Sequence, residues 1–102
     1  MQSCTLKIHF TKTGTIKYIS HLDLLRLFRR ASRRAGLPLA LTEGFNPHAK
    51  LKIEPALKLG TESNDLEAEI VLSENISPAR AKERLEKELP GGIKIIAVDT
   101  KA

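Results

Sequence analysis

Five arginines crowd one short stretch of this chain: Arg26, Arg29, Arg30, Arg33 and Arg34. Guanidinium groups are planar, permanently charged and able to donate paired hydrogen bonds, which suits them to phosphate oxygens. No acidic residue lies between Asp23 and Glu43, so neighbours on the same helix cannot neutralise the run. A solvated face, or pairing with Glu67, Glu69 or a second helix, would explain it without a ligand. The density of charge instead favours RNA or another phosphate-rich partner, with Lys50 and Lys52 extending the patch if they pack nearby. Such contacts give affinity and salt dependence with little sequence selection.

A second polar set comprises His21, Asp23, Glu43, Asn46 and His48. Brought together, these could pair as acid and base near neutral pH or hold a divalent ion. The sequence alone favours a structural account: Asp23 caps a helix, Asn46 and Pro47 make a turn, and a histidine satisfies backbone groups. The two histidines have no metal-ligand spacing, and no metal or other cofactor is expected. Beside the binding reading stand two alternatives. One is a metal-independent RNA- or nucleotide-processing enzyme using His21 and His48, and the other is an interaction module for an acidic protein. His9 is expected to be exposed, Tyr18 and Cys4 to pack, and Phe45 to plug the core with Gly44 allowing a positive φ. No phosphate-binding glycine motif, serine-nucleophile elbow or zinc-finger spacing is present.

The elements that must position these residues follow from periodicity. Ser20 and Asp23 form a capping-box-like start, and Gly36 with Pro38 makes the stop. Between them Leu24, Leu27, Phe28, Ala31 and Ala35 fall on one face at helical spacing, with Leu25 at its margin and the arginines opposite. Cys4, Leu6, Ile8 and Phe10 alternate with polar residues as a half-buried strand, and residues 16–19 are expected to be extended. Residues 37–41 read as a short strand or packed extended piece, and 42–48 as an irregular loop. Residues 50–59 alternate until Pro55 interrupts them, which predicts an edge strand or bulge. A polar turn at 60–65 leads to a strand through Leu66, Ala68, Ile70 and Leu72. Ser77-Pro78 opens a second helix with an apolar stripe of Ala81, Leu85 and Leu89, ended by Pro90-Gly91-Gly92; a last strand begins at Ile93. The order predicts an α+β, ferredoxin-like split βαβ plait, with two helices on one face of a four- to five-stranded, largely antiparallel sheet. Whether the last strand lies at the centre or the edge is left open by the pattern.

The totals set bounds. With 102 residues, one domain with one modest core is expected over 1–102. A net charge of +5 and a pI near 9.6 favour polyanionic partners. The four aromatics, Phe10, Tyr18, Phe28 and Phe45, are too few to support a base-stacking platform. A single cysteine rules out an internal disulfide and fits a reducing cytoplasm, and no apolar run is long enough for a membrane span or an export signal.

Three stretches, YISHLDLLR (18–26), AGLPL (35–39) and EGFNPH (43–48), resemble the signature of the radical-SAM-linked domain, a bacterial family of uncharacterised function. Ala49 stands where that family's loop has proline, and beyond Ile53 only pattern and spacing agree. The resemblance implies work beside a radical S-adenosylmethionine protein or in RNA metabolism, and a shortened version of a longer domain. A radical-SAM cluster needs three cysteine thiolates, and Cys4 is alone, so the chain is expected to be an accessory and not the radical enzyme.

Overall fold

The computed structural model describes residues 4–42, 44–45, 49–55 and 60–101, the last by its backbone alone. Its elements are β1 (Cys4–Lys12), a 3-10 turn (Gly14–Tyr18), α1 (His21–Arg34), β2 (Leu51–Glu54), β3 (Ser63–Leu72), α2 (Pro78–Glu86) and β4 (Ile93–Lys101). The sheet has four antiparallel strands in the order β2-β3-β1-β4, with both helices on one face. This is the arrangement of a ferredoxin-like plait. It also answers the question left open above: β1 is internal and β4 is an edge.

Alternation along β1 and β3 builds the sheet's contribution to the core, where Leu6, Ile8, Phe10, Leu66, Ala68, Ile70 and Leu72 are buried. Leu24, Phe28 and Ala31 of α1 and Ala81 and Leu85 of α2 cover them, while Leu25, Leu27 and Ala35 are half-buried against the margin. The rings of Phe10 and Phe28 lie 4.7 Å apart and tie α1 to the middle of the sheet.

Both helix starts form as their sequences dictate. The Ser20 hydroxyl accepts from the Asp23 N–H at 3.1 Å, and the Ser77 hydroxyl accepts from the Arg80 N–H at 3.2 Å. Only this half of the box at Ser20 is made, because the Asp23 carboxylate turns to Arg26. Gly36, at φ 73°, ends α1 with the Leu37 N–H donating to the Ser32 carbonyl at 3.2 Å.

One local expectation changes. Residues 16–19 are not an extended piece, since the chain winds into the 3-10 turn after Gly14. Gly92 packs against that turn; a Cβ there would sit 2.5 Å from the Thr13 carbonyl oxygen and 2.7 Å from Ile16 Cγ2. Residues 37–41 take the second of the two forms expected, a packed extended piece, bridged to β3 at Leu39 and Leu72 and to the returning chain at Leu41 and Ala49. β2 stops before Pro55, as the sequence predicts.

One burial is at odds with residue type. Lys12 is 1% exposed, at the end of β1 on the core side, with its ammonium donating to the Ile19 carbonyl at 3.1 Å. Burial lowers its pKa from the ordinary lysine value.

Candidate nucleic-acid interface

Successive residues of an α-helix are turned by about 100°, so Arg26, Arg30 and Arg34, four apart, form one row along α1. That row faces α2. With Lys87, just past the end of α2, it rims a groove of about 660 Å³ that also takes in Ile19, Leu27, Ala31, Leu89 and Pro90. Ile19, Leu27, Ala31 and Leu89 adjoin the core, and the longer cationic side chains are exposed around them. Asp23 and Glu88 also line the groove. Arg26 donates to Asp23 at 3.1 Å, whereas Arg30 and Arg34 make no ion pair among the described residues.

The remaining two arginines do not share this row. Arg29 lies on the flank of α1 away from Arg30 and Arg34; it is half-buried, and its Nε is enclosed without an acceptor. Ser32, 1% exposed, likewise leaves its hydroxyl unpaired. Arg33 points outward and is exposed. The sequence had grouped all five as one face, but only three of them line the groove. Glu67 pairs with Lys7 at 3.4 Å, and Glu69 lies 3.7 Å from Lys52, so these carboxylates serve the sheet and not the arginines.

Lys50 and Lys52 do not extend the row. Ile53 of β2 faces the core, so Lys52 projects from the opposite, open face of the sheet, where Lys50, Lys52 and Glu69 line a shallow hollow. Lys52 stands 3.1 Å from Glu54 and 3.7 Å from Glu69, and its pKa is raised, first by the hydrogen bond and charge of Glu54 and then by Glu69.

Of the second polar set, His21 begins α1 half-buried and Asp23 pairs with Arg26. Glu43, Asn46 and His48 lie outside the described residues. The stems of their loop, Leu41 and Ala49, adjoin the Val71 and Leu72 end of β3. There α1 finishes, whereas His21 starts at the other end, near Lys12 and Ser63. Among the described residues no group of three His, Cys, Asp or Glu side chains could hold a metal ion.

The open face of the sheet carries polar residues from every strand and no aromatic side chain. His9 is half-exposed there, with Nε2 3.8 Å from both Glu67 and Asp99. Phe45 is fully exposed and does not plug the core. Tyr18 is also exposed, its ring bordered by Gly60 and by the Lys17 ammonium at 5.3 Å. Cys4 is partly buried and packs against the core. Among the described residues no helix is long and apolar enough to cross a membrane.

Lys87 is the groove residue that the sequence did not single out. In the chain it reads as part of a mixed, solvated helix surface, and only the end of α2 beside α1 gives it a role. The sequence model of one bacterial family, described as an uncharacterized protein conserved in bacteria (DUF2344), matches residues 5–102. No curated protein and no solved structure matches the chain.

Proposed function

The chain belongs to that bacterial family, whose description names no activity, and we propose that it binds RNA through the groove between α1 and the turn after α2. The observation that carries this reading is the row Arg26, Arg30 and Arg34 facing Lys87, with Arg30 and Arg34 lacking any carboxylate partner among the described residues. Steps of four residues advance about 6 Å along a helix, close to the separation of successive phosphates in one strand. Three guanidiniums in such a row can each take one phosphate, and the apolar floor of Leu27, Ala31 and Leu89 can lie against sugars. The open sheet face is less suited to this role: among the described residues it has no aromatic on which bases could stack, and Lys7 and Lys52 there stand beside carboxylates.

The reading is of binding and not catalysis. Contacts confined to phosphates select for charge and spacing, so the domain would hold RNA with little preference for sequence. Work beside a radical S-adenosylmethionine protein is the further part of the proposal. It rests on the resemblance of stretches 18–26, 35–39 and 43–48, and gives the domain the task of presenting RNA to that enzyme.

A fluorescence titration with a structured RNA at a series of salt concentrations tests the binding. The apparent affinity is expected to fall steeply with salt, and Arg30→Glu combined with Arg34→Glu to reduce the slope of log K against log salt by about 2. Binding that ignores both salt and the double substitution sinks the proposal.

A further inference from the structure

The outer edge of β4 bears on a different question from the groove. Among the described residues β4 pairs only with β1, leaving a nine-residue strand with one row of backbone donors and acceptors unused. Such an edge is a template for another strand. Its side chains narrow the choice of partner.

The pairing of β1 with β4 shifts register between His9 and Phe10. His9 stands opposite Ala97 and Phe10 opposite Ile95, so Ile96 is an extra residue. In a regular strand residues 94 and 99, an odd number apart, point to opposite faces. The extra residue cancels that difference. Lys94 lies opposite Thr11 and Asp99 opposite Lys7, both on the open face, while Ile95 and Val98 lie opposite Phe10 and Ile8 on the core face. The strand is therefore symmetric in face about the step from Ile96 to Ala97, and antisymmetric in charge.

We propose that β4 pairs antiparallel with β4 of a second copy of this chain, about a two-fold axis through the step from Ile96 to Ala97. In that register Lys94 of each copy stands opposite Asp99 of the other, twice over, and Ile95 stands opposite Val98. Ile96, 54% exposed in the single chain, falls beside the axis and is covered by the other copy. Asp99 has a 67% exposed side chain and, among the described residues, pairs only with His9 at 3.8 Å, so it can accept Lys94. The two four-stranded sheets become one of eight strands, joined by an isologous contact. This inference does not depend on RNA binding.

Sedimentation velocity of the nuclease-treated chain over a wide concentration range tests it. The unaltered chain is expected to show a concentration-dependent dimer. Lys94→Asp places like charges opposite each other and is expected to weaken the dimer by roughly tenfold or more. Asp99→Lys does the same from the other side, and serves if Lys94→Asp alters the circular dichroism spectrum. Combining Lys94→Asp with Asp99→Lys restores opposite charges in the same register and is expected to restore the dimer. A chain that stays monomeric to millimolar concentration overturns the proposal. So does a dimer indifferent to either single substitution, or a double variant no stronger than the singles.

Discussion

On the open face of the sheet Lys7, His9 and Lys52 each stand within 3.8 Å of a carboxylate, whereas Arg30 and Arg34 look into the groove with no carboxylate partner among the described residues. The difference follows from geometry. Neighbouring strands bring residues directly opposite each other to about 5 Å, so a basic strand beside an acidic one is paired wherever the register allows. β1 supplies Lys7 and His9, and β3 supplies Glu67 and Glu69 in the facing positions. Along one row of a helix the neighbours are four residues apart, and here they are all arginine. Like charges so placed cost about 0.2–0.5 kcal/mol per pair, a strain on the free domain that a bound polyanion would relieve. Lys7 and Lys52 on the sheet face are thus met by carboxylates, and Arg30 and Arg34 in the groove are not, among the described residues.

The largest effect expected from breaking this contrast is on the groove side. Arg30→Glu with Arg34→Glu should weaken RNA binding roughly 100-fold at low salt, from two charge-assisted contacts of about 1.5 kcal/mol each. The same change should leave the melting temperature level or higher, because the carboxylate introduced at position 30 then faces Arg26 across one helical turn. On the sheet side the signs reverse. Glu67→Lys puts a second ammonium beside Lys7, and should cost about 1 kcal/mol of stability by urea denaturation while leaving RNA binding unchanged. A stability loss in the first variant, or a binding loss in the second, would erase the distinction between the two faces.

The fold was legible in the chain because alternation, capping and turn residues agree over its length; Ser20, Gly36 and Ser77-Pro78 each act as their types require. The place of β4 was not, because strand order is set by packing between distant segments, which no local period records. The groove was half legible. The arginine run announces itself, but separating Arg26, Arg30 and Arg34 from Arg29 and Arg33 requires knowing on which side α2 lies, and Lys87 has no local signal. The burial of Lys12 could have been read: it stands two residues after Phe10 and shares its face, and only its charge suggests a turn. His21 and Asp23 are placed, but Glu43, Asn46 and His48 lie outside the described residues, so this set gains nothing from the fold.

Lys12 is the intermediate case, a charge neither paired with a carboxylate among the described residues nor exposed to a partner. Its pKa in the folded chain is lowered by burial, so above that value and below about 10.4 the unfolded chain binds more protons than the folded one. Stability should therefore climb as pH rises through that window, the burden being fully present below the lowered value and relieved above it. Lys12→Met keeps the length of the side chain and removes the titration. Urea denaturation from pH 7 to about 10.5 should show a gap between the two proteins that changes steadily in favour of the unaltered chain. A constant gap would mean that the ammonium is hydrated in solution.

The smallest effect is expected at Lys52, and its smallness matters to the contrast. Glu54 and Glu69 raise its pKa, so any stability it contributes is fully present below the ordinary lysine range and is lost only as pH rises through the raised value. The pair is exposed, water and salt screen it, and the side chain must be ordered to make it. Lys52→Ala should therefore leave the urea midpoint at neutral pH where it was. It should also leave RNA affinity and its salt slope unchanged, because Lys52 projects from the face opposite the groove and its charge is already met by carboxylates. Titration of this variant beside Arg30→Ala separates position from charge, since each removes one cation from the same net total. Equal losses in the two would mean that RNA responds only to the overall charge of the domain. A loss confined to Arg30→Ala would place recognition in the row on α1, where the unpaired guanidiniums are.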